Sequence, residues 1–128
     1  MKSVILVFLG GGTGSALRYS IGLLLAPHVK TTHFPWATFL VNSIGSLIMG
    51  ILLALLLKEV ASKESHLFLA VGFCGGFTTF SSFTNEIVML LKEEQLILGT
   101  VYLLISLIIG IGALLIGYTL TKNILALS

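Results

Sequence analysis

Charge is nearly missing from this chain. Only 9% of its 128 residues are charged, and it contains no Asp at all. A soluble domain of ordinary composition carries about 25% charged residues. With 56% hydrophobic residues and a mean hydropathy of +1.10, the chain cannot cover an aqueous surface with polar groups, and it reads as an integral membrane protein. Cys74 is the sole cysteine, which excludes an intrachain disulfide framework and a cysteine-based metal cluster. The net charge of +2 is too small to point to a nucleic-acid partner. HExxH, GxSxG and phosphate-loop patterns are all missing. GGGTG follows an apolar run but lacks the spacing and βαβ surroundings of a dinucleotide site. Nothing here supports an enzyme, and no low-complexity tail or internal repeat is visible.

What the chain does have is apolar length. Four runs, roughly 4–26, 34–57, 66–91 and 96–121, each reach the approximately 20 residues a helix needs to cross the hydrocarbon core. The expected fold is all-α: one transmembrane domain over 1–128 with four spans. The breaks PHVKTTHFP, KEVASKES and KEEQ are short, so successive helices should be antiparallel neighbours. The first run continues past GGGTG and carries Arg18, which argues against a cleaved signal peptide. Lys2, Lys58, Lys63 and Lys122 fall on one side of the membrane, Lys30 and Lys92 on the other, with Arg18 nearer the second side. The positive-inside rule therefore barely votes. Either the termini face the cytoplasm with weak bias, or copies insert both ways and pair antiparallel. Four short helices enclose little interior, so a homo-oligomer is expected.

Several polar groups lie where lipid would penalise them. Asn42 heads a small-residue face with Ser46, Gly50 and Ala54, and is read either as glue between helices or as the lining of a polar path. Arg18 either snorkels or lines an aqueous vestibule that attracts anions. Gly10 and Gly14 have the spacing of close helix packing. Tyr102, Ser106 and Gly110 form a mildly polar face. Glu86, towards the end of the third span, is expected to snorkel to the interface. His28, His33 and His66 lie at span ends and read as solvated groups.

The stretch GFCGGFTTFSSF (72–83) stands apart. It contains four Phe, three Gly, two Thr and two Ser, with no Leu, Ile, Val, Met or Ala, in the middle of a span. Gly75, Gly76, Thr78 and Thr79 are expected to break the third helix. Irregular backbone survives at membrane depth only when protein or a water-filled cavity surrounds it, and freed carbonyls there can coordinate cations. The competing reading is a continuous, Gly-rich packing helix. Phe73, Phe77 and Phe80 have core-packing spacing, but the positive edge of an aromatic ring can also meet an anion without binding it tightly.

GFCGGFTTFSSF, with LVNSIGS upstream and GGGTGSALRYS near the start, resembles the CrcB/Fluc family of fluoride channels over essentially the whole chain. The resemblance implies a passive, fluoride-selective channel that relieves fluoride toxicity, built as a dual-topology antiparallel homodimer in the cell membrane, multi-pass and in prokaryotes the inner membrane. It implies Phe80 and Phe83 as the pore-lining aromatic pair and Asn42 as the pore asparagine, with Ser106, Tyr102 and Ser81 as members of a polar track. Arg18 matches the vestibule arginine. Gly75 and Thr78 match the backbone-carbonyl donors of a central, structural sodium ion. Two positions depart from the common pattern: ATFLVN lacks the GT frequent before VN, and Ser82 stands where Thr is common. The rival class is a proton-coupled exporter of the small multidrug-resistance type. That class relies on a buried carboxylate in its first span, and 4–26 contains none.

Overall fold

The computed structural model describes residues 1–127. Within an apolar run in hydrocarbon a backbone amide has no partner except another backbone group, so uninterrupted apolar runs close as helices. Three spans do so in one piece: α1 (Lys2–Thr32), α2 (Trp36–Leu57) and α6 (Leu96–Leu127). The third span, Lys63–Lys92, is composite. It comprises α3 (Lys63–His66), a π-helical segment (Leu67–Cys74), α4 (Gly75–Phe77) and α5 (Phe80–Lys92). All four spans are long and apolar enough to cross a membrane.

The helices outrun the apolar segments that announce them. The α1 helix passes through Pro27 and stops at His33, which turns left-handed (φ 59°) and donates its N–H to the Val29 carbonyl. Proline costs a helix one donor and crowds the carbonyl a turn earlier. Pro27 lies only five residues before the helix ends at Thr32, so the lost bond falls near its end and the helix continues. Ser62 caps α3 by accepting from the Ser65 N–H at 3.1 Å.

Packing is by backbone approach. The α1 helix runs along the π-helical segment and α4, and α2 runs along α6. Gly10 and Gly14 are buried in the first of these seams, where a Cβ would collide with the carbonyls of Phe68 and Phe73. In the second seam a Cβ on Gly50 would collide with the Leu114 carbonyl. Small-residue seams of this kind drive helix association where no hydrophobic effect operates between helices. Gly50→Ala is therefore expected to destabilise the fold by about 1–3 kcal/mol, the usual cost of overpacking. Gly12→Ala, with nothing within 4 Å of its Cβ position, should be neutral or stabilising. Thermal unfolding of the two variants in detergent checks this. Equal melting would contradict the seam.

Two small cores form inside the bundle. One joins Leu52, Ala70 and Cys74, and the other Phe83, Leu90 and Tyr102. Lys2 meets Glu64 at 3.3 Å, which puts the chain start and α3 at the same end. Most of each span is not covered by the chain itself: in the four apolar windows the buried share is 11 to 28%.

Candidate functional site

The third span is interrupted at Thr78 (φ −81°, ψ 159°) and Thr79 (φ −152°, ψ 118°), both extended. The glycine pair expected to break the helix does not do so, because Gly75 and Gly76 are helical. The break falls on the two threonines, where a neighbouring helix offers the backbone new partners. Asn42 on α2 accepts the Thr79 N–H through Oδ1 at 2.8 Å and donates Nδ2–H to the Thr79 carbonyl at 3.1 Å. Thr79 Oγ1 accepts the Ser82 N–H at 3.2 Å and so caps α5. Arg18 donates Nε–H to the Gly76 carbonyl at 3.0 Å. Side chains thus replace the helix ladder across the break.

The two open readings of Asn42 meet in one residue. Its amide clamps Thr79, and it also lines a cavity of about 230 Å³ with Ser46, Phe80, Phe83, Ser106 and Gly110. Phe80 and Phe83 reach that cavity from the first turn of α5, their centroids 6.1 Å apart and their planes tilted by 44°. Phe83 is buried against Tyr102 (5.1 Å, edge-on), whereas Phe80 is 76% exposed. Ser106 Oγ is buried and has no hydrogen-bond partner among the described residues. A second cavity of about 260 Å³, lined by Asn42, Gly45, Ser46, Thr78, Thr79 and Phe80, adjoins the first through their shared walls.

Two expected members of the polar track lie apart from this cavity. Ser81 is exposed, and its hydroxyl stands 3.3 Å from Thr79 Oγ1. Tyr102 is fully buried, and its hydroxyl donates to Glu86 Oε2 at 2.7 Å. Glu86 does not snorkel. Thr38 also donates to it, at 2.6 Å to Oε1, so both carboxylate oxygens are held inside the protein. Such lengths are typical of hydroxyls donating to a carboxylate. Glu86 also borders a cavity of about 420 Å³ that Lys30, His33 and Glu93 line at the same end. Sequence reasoning missed the Thr38–Glu86–Tyr102 group. The only signal for it was a carboxylate within an apolar span. His28 and His33 are exposed, but His66 is half-buried and its Nδ1 has no partner among the described residues.

The sodium ion implied by the resemblance can be tested against the backbone. In a continuous helix the carbonyls of Gly75 and Thr78 would accept from Thr79 and Ser82. Those two N–H groups go instead to Asn42 and to Thr79 Oγ1, so both carbonyls are released from the ladder. Gly75 lies on an exposed face with open space beyond its Cα. Neutral carbonyl oxygens from a helix break suit a hard monovalent cation, and this donor set fits one. Among the described residues no cluster of His, Cys or acidic groups could hold a metal instead.

The chain matches the family model described as CrcB-like protein, Camphor Resistance, over residues 5–118. It is 40% identical to the Fluoride-specific ion channel FluC of Phocaeicola vulgatus, over 95% of this chain and 100% of that one. With the protein of the same name from Gloeothece citriformis it shares 44% identity, over 96% of this chain and 99% of that one. The corresponding figures for the Flavobacterium psychrophilum protein of that name are 40%, 97% and 100%.

Proposed function

The chain belongs to the CrcB-like protein family, and from that premise we propose that it is a passive, fluoride-selective channel, not an enzyme, that carries fluoride out of the cytoplasm. The observation that carries this reading is the cavity that Asn42, Phe80, Phe83 and Ser106 line together, with the unpartnered Ser106 hydroxyl buried beside it. An orphaned buried hydroxyl costs about 1–3 kcal/mol; a permeating anion relieves that cost.

Moving a small bare ion into a low-dielectric medium costs tens of kcal/mol by Born estimates. Weak donors must replace its water. Ser106 supplies a hydroxyl and the Asn42 amide its second Nδ2–H, while the rings of Phe80 and Phe83 offer positive edges. None of these binds as tightly as an ammonium would, so the ion can leave. A narrow passage excludes the larger chloride. Hydrogen fluoride crosses membranes as a neutral acid and dissociates inside, and a negative-inside potential then drives the anion out through an open pore. The buried carboxylate that a proton-coupled exporter needs in its first span is missing from 4–26.

Two copies pair antiparallel in the cell membrane, in prokaryotes the inner membrane. The supports are the near-balanced lysines and the position of Phe80, 76% exposed beside an open groove that a second copy would close. The carbonyls of Gly75 and Thr78 hold a structural sodium ion, whose charge offsets the cost of carbonyls left outside the helix ladder. Tyr102 and Ser81 serve the track less directly than Ser106, Tyr102 by holding Glu86.

Ser106→Ala tests the reading. It should lower fluoride efflux from liposomes by about threefold to tenfold while leaving thermal stability unchanged or raised, because the orphan hydroxyl is gone. Unchanged flux would remove Ser106 from the path. Ser62→Cys tests the orientation, since Ser62 is exposed at the loop after α2 and the native Cys74 is buried. An impermeant thiol reagent should label it partly from each side of the membrane. Labelling from one side alone would exclude dual topology.

A further inference from the structure

Among the described residues the Arg18 side chain makes one hydrogen bond. Its Nε–H donates to the Gly76 carbonyl at 3.0 Å, across 58 residues of sequence. Among the described residues the guanidinium has no carboxylate partner. Gly76 sits in α4, two residues before the extended Thr78. In an unbroken helix its carbonyl would accept from Phe80, but the break has carried Phe80 away into α5. The donor that replaces it comes from α1, whose backbone is pressed against α4 at Gly11 and Gly76.

We propose that Arg18 is a positioning residue: its Nε–H caps the end of α4 and thereby fixes where the break begins and where Phe80 points. This rests on the channel reading given above, and adds to it that the Arg18 charge is secondary to one fixed donor. Asn42 holds the far side of the break through Thr79, and Arg18 holds the near side. The Nη groups remain free to meet water and anions, so the positioning role does not consume the charge.

Side-chain geometry separates the two roles. The amide nitrogen of Gln stands the same number of bonds from Cα as Arg Nε, so Arg18→Gln keeps the donor and removes the charge. Lys places a methylene at that position and its ammonium one bond further out, so Arg18→Lys keeps the charge and misplaces the donor. At high ionic strength, where exposed charges are screened, Arg18→Gln should retain fluoride efflux within about threefold of the native protein. Arg18→Lys should lose about tenfold, the effect of one hydrogen bond to a charged donor. Deuterium uptake over residues 75–83 in liposomes should rise in Arg18→Lys and stay native in Arg18→Gln. Arg18→Lys conducting as well as or better than Arg18→Gln, or native uptake in Arg18→Lys, would overturn the proposal. If the native protein carries no fluoride, the channel reading fails while the uptake comparison still decides the cap.

Discussion

Asn42→Asp is expected to cut fluoride efflux by about a hundredfold or more, the largest effect of any single substitution considered. The Asn42 amide faces both polar groups of the Thr79 backbone, accepting from the N–H at 2.8 Å and donating to the carbonyl at 3.1 Å. Aspartate keeps the first bond and loses the second. It sets an acceptor against the Thr79 carbonyl and a negative charge on the wall of the Phe80–Phe83 cavity. Leaving one buried acceptor unmatched costs about 1–3 kcal/mol, and each 1.36 kcal/mol is roughly tenfold in a rate. Repulsion of the permeating anion adds to that. Efflux from liposomes measures the loss. Flux within about threefold of native would show that neither the clamp nor the amide donor matters.

Phe80→Ile should lower fluoride efflux at least about tenfold without altering the stability of the single chain. Phe80 is 76% exposed, so the protomer gains little by burying it, and isoleucine retains apolar bulk. What disappears is the positive ring edge. Phe83→Ile should be as severe for flux but should also destabilise. Phe83 is buried and meets Tyr102 edge-on at 5.1 Å, and such pairs contribute about 0.5–1.5 kcal/mol beyond area. Parallel flux and unfolding measurements separate the two cases. Native flux in Phe80→Ile would remove that ring from the path.

Much of this architecture could be read from the sequence, for physical reasons that also mark where the reading stops. Hydrocarbon forces apolar runs into helices, so four spans followed from composition alone. Their ends did not, because α1 continues through Pro27 to Thr32 and α6 to Leu127, past the apolar stretches. The presence of a break in the third span could be read, but its place could not. Gly75 and Gly76 are permissive residues that stay helical, while Thr78 and Thr79 leave the helix where Asn42, 37 residues away, supplies bonds the ladder gives up. A bond at that separation leaves no local pattern. The π-helical turn at Leu67–Cys74 is equally silent, since it differs from α only in which carbonyl each N–H reaches. At the site, the motif residues pointed to Asn42, Phe80, Phe83 and Ser106, which share one cavity. The Thr38–Glu86–Tyr102 group was hidden because a lone glutamate near a span end ordinarily reaches for water. Here two hydroxyls from α2 and α6 turn it inward.

The most direct test of the channel reading is paired fluoride and chloride efflux from liposomes holding only the purified protein, with a potassium ionophore carrying the countercharge. A passive fluoride channel should release fluoride rapidly, retain chloride, and need neither a proton gradient nor nucleotide. Fluoride release no faster than from protein-free liposomes, or chloride release at a comparable rate, would contradict it.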